Sequence, residues 1–157
     1  MNALDDLPSD FRDLLIAFVD EGVELVLVGG WAMAIHGRVR ATEDLDVFVR
    51  PTRENAARVF RALASFGAPV AQHSIDELTF ADERYGYRFG LKPLCIEVLT
   101  SISGVEFQDT LDGAPHITLD GRDVPVIGRA ALLRNKRAAG RLKDLDDVAW
   151  LERHSPP

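Results

Sequence analysis

Cysteine occurs once in this chain, at Cys95, so neither an intrachain disulfide nor a cysteine-rich metal cluster can be built from it. That fits a reducing compartment, with Cys95 read as a small core residue. Long apolar runs are also missing, and the longest, Leu25 to Ile35, is too short to cross a bilayer. The N-terminal stretch Met-Asn-Ala-Leu-Asp-Asp-Leu-Pro has neither the basic start nor the apolar core of a secretory signal. These absences predict a soluble, cytoplasmic protein with no membrane partner. Positive charge is in short supply: 18 Lys and Arg face 25 Asp and Glu, a net charge of −7. Binding nucleic acid by bulk attraction is thereby excluded, and any polyanion must find a local patch. One stretch qualifies, since Arg129, Arg134, Lys136, Arg137, Arg141 and Lys143 follow one another with no acid between them. It reads either as a solvated helix face or as a site for phosphates. Repeats and low-complexity linkers are absent, and 157 residues, 46% of them hydrophobic, suit one compact domain over residues 1–157.

What the chain does have is concentrated between residues 28 and 46. The apolar run Leu25 to Val28 reads as a strand, and Gly29-Gly30 after it permits a sharp turn into a short helix whose free N–H groups can face an anion. Asp44 and Asp46 stand at i and i+2 in Asp-Leu-Asp-Val-Phe-Val, so strand geometry puts their carboxylates on one face, about 7 Å apart. Alone, the glycines are an ordinary turn and the aspartates a solvated strand edge. Together they set a phosphate cradle beside a dicarboxylate able to hold a hard divalent cation, which points to chemistry on a nucleoside triphosphate.

Elsewhere the pattern alternates. Phe11, Leu14, Leu15, Phe18 and Val19 predict a helix from Asp10 to Glu21, with Ser9 as its cap and Gly22 closing it. A strand Glu24 to Val28, a helix Trp31 to His36 and a strand Leu45 to Arg50 follow. Pro51-Thr52 then opens a helix with the stripe Ala56, Val59, Phe60, Leu63 and Ala64, ending at Gly67. Short strands are expected at Leu78 to Ala81, Tyr87 to Leu91, Leu94 to Leu99, His116 to Leu119 and Val124 to Ile127, with Asp120-Gly121 as a hairpin turn. Two helices close the chain: Ala130 to Ala139, stopped by Gly140, and a second that Asp144 caps, with Leu145, Val148 and Leu151 packed inward. Such alternation predicts an α/β (α+β) sheet with helices packed on it. Glu97 lies inside the apolar run Leu-Cys-Ile-Glu-Val-Leu, where a charge must be paired or bound to metal; Arg88 and Arg40 are candidate partners.

The stretch from Gly29 to Asp46 resembles the signature of the DNA polymerase β-like nucleotidyltransferase superfamily. More narrowly, Gly29, Gly30, Ala32, His36, Gly37, Arg40, Thr42, Asp44 and Asp46 are similar to the pattern G-G-x-A-x-x-x-H-G-x-x-R-x-T-x-D-x-D of small bacterial nucleotidyltransferases, the AbiEii-type toxins among them. Lys136, Arg141, Lys143, Asp144 and Asp147 resemble the later motifs of the same proteins, roughly K-x-x-A-x-x-R and K-D-x-x-D. The resemblance implies a mixed, twisted β-sheet with flanking helices, palm-like, followed by C-terminal helices. It implies Asp44, Asp46 and Glu97 as catalytic, metal-binding carboxylates for Mg2+ or Mn2+, with Glu97 standing where the family more often has Asp. Glu106 and Asp109 are weaker rivals, in a loop-like stretch. It further implies nucleotide binding by Gly29, Gly30, Arg40, Thr42, Lys136, Lys143 and Asp144. For His36 a capping or packing role competes with a catalytic one, and for Asp144 a helix cap competes with substrate contact.

The implied activity is transfer of a nucleoside monophosphate from a triphosphate to an acceptor hydroxyl. The acceptor would be the 3′ end of a transfer or other RNA, a protein, or a small molecule such as an aminoglycoside. The toxin-type resemblance favours RNA and a cognate antitoxin or toxin partner, whereas the acidic net charge argues against RNA. A non-catalytic nucleotide-binding or antitoxin-like module with the same fold is the alternative.

Overall fold

The computed structural model describes residues 4–39, 41–90 and 94–154. Its first helix, α1 (Ser9–Asp20), buries Phe11, Leu14, Leu15 and Phe18 at helical spacing. Ser9 is not its cap: Pro8 takes that position with no side-chain hydrogen bond, because the fixed φ of Pro8 already starts the turn. Strand β1 (Leu25–Val28) runs straight into α2 (Gly29–Ile35), and β2 (Asp44–Val49) follows. Helix α3 (Arg53–Phe66) is capped by Thr52, whose hydroxyl accepts from the Asn55 amide at 3.2 Å, and Gly67 ends it at φ 100°. Strands β3 (Gly86–Phe89) and β4 (Cys95–Leu99), the short helix α4 (Phe107–Thr110), strands β5 (His116–Leu119) and β6 (Arg122–Pro125), and helices α5 (Arg129–Ala139) and α6 (Leu142–Arg153) complete the order.

Four strands form one sheet in the order β1-β2-β4-β3. β2 and β4 run parallel and the outer pairs antiparallel, so the sheet is mixed, as expected. The β5–β6 hairpin turns at Asp120 and Gly121, both at positive φ, as a two-residue turn of matching twist requires. A bridge from Leu27 to Val126 ties the end of that hairpin to β1. Leu45, Val47 and Val49 of β2 alternate into the core with Ile96 and Val98 of β4 beside them, which leaves Asp44, Asp46 and Glu97 on the opposite face.

Several expectations need correction. Leu78 to Ala81 is not a strand: Thr79–Ala81 is a single 3₁₀ turn that buries Phe80, and Asp76 holds it by accepting from the Leu78 amide at 2.8 Å. The last strand starts at Arg122, directly after its turn, and ends at Pro125 rather than Ile127. Helix α4 was not expected; reciprocal bonds between Glu106 and Asp109 initiate it. Asp144 sits in the first turn of α6 and not at its cap, which Arg141 occupies, and Leu145 is 46% exposed rather than packed inward.

One buried amide locks the site-bearing strands to α3. Asn55 is fully buried, accepts from the Glu24 amide at 2.7 Å, and donates to the carbonyls of Glu24 and Arg50 at 3.0 and 2.9 Å. Asn55→Ala strands the Glu24 amide, while the Glu24 and Arg50 carbonyls keep the Arg50 and Thr52 amides at 3.2 and 3.0 Å, so urea unfolding should show a loss of about 2 kcal/mol. A loss under about 0.5 kcal/mol would contradict this role.

Candidate active site

Strand register decides which charged residues meet. In the parallel pair β2–β4 Asp46 lies opposite Glu97, and in the antiparallel pair β3–β4 Arg88 lies opposite the same Glu97. Asp46, Glu97 and Arg88 therefore form a row across three strands, with Asp44 two residues from Asp46 on the same face. Arg88 reaches both flanking carboxylates, with Nη2 3.5 Å from Asp44 Oδ1 and Nη1 3.7 Å from Glu97 Oε2. Asp46 carries the electrostatic burden. Burial, then the charges of Glu97 and Asp44, push its carboxyl up to about 6, with Arg88 pulling the other way.

The glycine pair is dictated by this carboxylate. Gly29 has φ 71°, and a Cβ placed on it would run into the Asp46 carboxyl group. A Cβ on Gly30 would come within 2.8 Å of Thr42 Oγ1, which itself donates to the Asp44 carbonyl at 3.3 Å. So Asp46 lies directly on the Gly29 backbone, while Thr42 fills the space over Gly30 and steadies the start of β2. Arg40 lies outside the described residues. His36 donates from Nε2 to the Ile127 carbonyl at 2.7 Å and links the end of α2 to the chain after β6. Glu106 and Asp109 are spent on the start of α4.

The C-terminal motif folds into an ion network. Lys136 is buried, with Nζ 2.9 Å from Asp147 Oδ2 and 3.5 Å from Asp144 Oδ1. Asp147 also accepts from Arg38 Nη1 at 2.9 Å, and Asp144 from Arg141 Nε at 2.7 Å. Burial alone would raise the Asp144 carboxyl, but the Arg141 hydrogen bonds and the charges of Lys136 and Arg141 hold it below the usual carboxylate range. Lys143 is exposed. The hydrogen bond and charge of Asp144 raise the Arg141 guanidinium, with the charge of Asp46 adding least.

Register and tertiary pairing thus bring together Asp44, Asp46, Glu97, Gly29, Gly30 and Thr42. Lys136 and Asp144 are held instead in the buried ion cluster with Asp147. Sequence spacing gives no site role to two charged residues here: Arg88, which it offers only as a partner for Glu97, and Arg141, which it offers only within the C-terminal motif. For Arg88 the available signal was its place between buried Tyr87 and Phe89 on a strand, which puts it on the face opposite them. Two residues beyond Asp46, Phe48 borders a polar cavity of about 680 Å³ lined also by Arg50, Glu83, Arg84, Ser101 and Glu106. A larger cavity of about 1050 Å³, between α1 and the β3–β4 edge, meets the carboxylate row only through Arg88. Among the described residues no group of three or more His, Cys, Asp and Glu side chains is arranged as a metal site.

The model of a known family, that of aminoglycoside-2''-adenylyltransferase, matches residues 10–149, which spans the glycine turn, all three carboxylates and the ion network. The chain belongs to that family. It is a nucleotidyltransferase, and the superfamily expected from its motifs is the right one. The structure of a candidate nucleotidyltransferase from Thermotoga maritima is 15% identical, with 91% of each chain covered and a TM-score of 0.55. That likeness is one of fold. An antigenic nucleotidyltransferase-like protein from Paracoccidioides brasiliensis is 18% identical over 91% of this chain and 76% of its own, with a TM-score of 0.45. No curated protein matches. Among the described residues no helix is long and apolar enough to cross a membrane.

Proposed function

We propose that the chain transfers a nucleoside monophosphate from a nucleoside triphosphate to a hydroxyl of a small, amine-bearing acceptor. The observation that carries this reading is the carboxylate row: Asp44, Asp46 and Glu97 share one sheet face over the glycine turn, and Asp46 is pushed up to about 6. Oxygen donors of this kind suit Mg2+ or Mn2+, and a bound cation would offset both the burial and the repulsion from Glu97 and Asp44 that raise Asp46. Asp44, Asp46 and Glu97 would hold the ion, which supplies neutralisation of charge on the phosphate oxygens. In the reaction the acceptor oxygen bonds the α-phosphorus, the bond to the bridging oxygen of the β-phosphate breaks, and pyrophosphate leaves. Glu97, with Arg88 beside it balancing the row, would complete that metal site or, in place of binding the ion, take the hydroxyl proton. Gly29 and Gly30, whose Cβ positions Asp46 and Thr42 fill, would offer the backbone N–H groups of the turn to the triphosphate, while Arg40 and Lys143 add positive charge.

Two observations support an amine-bearing acceptor: the family's description names aminoglycosides, and the protein carries a net charge of −7. A second reading, an RNA 3′ end as in AbiEii-type toxins with a cognate antitoxin, is favoured by the exposure of Arg134, Arg137, Arg141 and Lys143 along one segment. Each α-labelled triphosphate should be incubated with Mg2+ and, separately, aminoglycosides, total RNA and protein extract. Label on the aminoglycoside fraction with wild type, and none with Asp46→Ala, is the expected result. Label on RNA would move the assignment to the second reading, and equal behaviour of wild type and Asp46→Ala with every acceptor would overturn both.

A further inference from the structure

Sheet pairing brings a cation of the chain's own to the carboxylate row. Arg88 stands on β3, the edge strand, opposite Glu97, and its fork divides between two acids, with Nη2 3.5 Å from Asp44 Oδ1 and Nη1 3.7 Å from Glu97 Oε2. A guanidinium spread over two carboxylates gives those oxygens what a metal ion would give them, a positive charge in contact with both. The described acids are not grouped as a metal site in this arrangement, and two of them are engaged by Arg88. Its hold on them is light. Both contacts are longer than the roughly 2.8 Å of a charge-assisted hydrogen bond, and the Arg88 side chain is 55% exposed, so exchanging them for water costs little. The guanidinium also has somewhere to go, since Arg88 lines the cavity of about 1050 Å³ between α1 and the β3–β4 edge together with Asp10 and Asp13.

We propose that Arg88 is an exchangeable counter-ion of the row: it holds Asp44 and Glu97 until a divalent cation arrives, yields both acids to that cation, and turns to the cavity it shares with Asp10 and Asp13. This rests on the nucleotidyl-transfer reading above, in which the same acids hold Mg2+ or Mn2+. Arginine suits the task because its planar fork spans two carboxylates, stays charged at every working pH and is weakly hydrated. A divalent ion displaces it because two charges in contact with three carboxylates outweigh one charge in contact with two. The exchange keeps the row neutralised in either state, and it sets the cation concentration at which the site loads. Arg88 is a positioning residue on this account, acting through Asp44 and Glu97.

The test is calorimetric titration of the full chain with Mn2+ alone, in the absence of nucleotide. Arg88→Gln should bind Mn2+ roughly tenfold tighter than wild type, the scale of removing two exposed ion-pair contacts together with the repulsion between guanidinium and metal. Arg88→Lys keeps the charge but cannot span both acids, and should gain about threefold. Arg84→Gln, which removes an exposed cation from the turn before β3, should bind as wild type. Melting curves give a second readout. Without metal at pH 8, Arg88→Gln should melt about 1–3 °C below wild type, because the row has lost its counter-ion, and saturating Mn2+ should raise it further than it raises wild type. Unchanged or weaker Mn2+ affinity in Arg88→Gln, wild-type affinity in Arg88→Lys, or no Mn2+ binding by either wild type or Arg88→Gln would overturn the proposal. Tighter Mn2+ binding by Arg88→Gln, in a protein whose wild type labels no acceptor, would instead count against the reaction and leave the exchange standing.

Discussion

Asp46→Asn is expected to abolish nucleotidyl transfer and, at pH 8 without metal, to make the protein more stable than wild type. The two effects share one cause. Folding presses the Asp46 carboxyl against Glu97 and Asp44 and away from water, which moves it from 3.8 to about 6. A carboxyl raised in the folded state favours folding when protonated. Its contribution is fully present below about pH 4 and is lost as pH rises through 6. Two pH units correspond to at most about 3 kcal/mol, and partial solvent access to Asp46 brings the expected figure to about 1–2 kcal/mol. Asn keeps the shape that rests on Gly29 and cannot ionise, so the variant should melt roughly 3–6 °C above wild type at pH 8, with the gap closing at pH 4. Added Mg2+ should raise the melting temperature of wild type and not that of Asp46→Asn. Activity should fall by about a thousandfold or more, the scale of losing a group that stabilises transition-state charge. A variant less stable than wild type at pH 8 would show that the carboxylate row is not under electrostatic strain.

Gly29→Ala is expected to cost about 4 kcal/mol and most of the activity. A left-handed backbone conformation costs an alanine about 1–2 kcal/mol, and the rest arises because the new Cβ meets the Asp46 carboxyl carbon and oxygen. Gly67 provides the control. It too has positive φ, at 100°, but a Cβ there has nothing within 4 Å, so Gly67→Ala should cost only the backbone term, about 1 kcal/mol, and leave transfer intact. The difference between the two isolates the collision. A double-mutant cycle checks it independently: in the Asp46→Ala background, where only the Cβ at 3.0 Å remains, Gly29→Ala should be milder by at least about 1 kcal/mol. Strict additivity would mean that the glycine serves the turn alone.

Local features were the legible part of this site. Glycines at a strand-to-helix junction and aspartates at period 2 announce themselves within a few residues, so Gly29, Gly30, Asp44 and Asp46 stood out directly. Glu97 was visible because a charge interrupts an apolar strand. What joins them is long-range. That β4 pairs parallel to β2, with Glu97 opposite Asp46, follows from the crossover of the whole chain between residues 49 and 95 and leaves no short-range mark. Arg88 entered the row by the same route, through antiparallel pairing of β3. In the C-terminal segment the basic run suggested a solvated or phosphate-binding face, yet Lys136 follows Leu132 and Leu133 on the buried side of α5. Its charge is tolerated because the acids of α6 fold back onto it, a pairing that spacing alone does not encode. Asp144 shows the same limit at finer scale. Its spacing suits a helix cap or a substrate contact, but Arg141 holds the cap and Asp144 is the acid that bonds back to it. Helix α4 escaped notice because four residues are too few to establish a periodicity.

In the proposed reaction Asp44, Asp46 and Glu97 act together on a triphosphate. The most direct test is transfer of α-label to the accepting fraction, with pyrophosphate release, by wild type and by Asp44→Asn, Asp46→Asn and Glu97→Gln, each shown folded by its melting curve. Loss of both signals in all three variants, and stoichiometric label and pyrophosphate with wild type, is the predicted result. Undiminished transfer by folded Asp46→Asn or folded Glu97→Gln would contradict it.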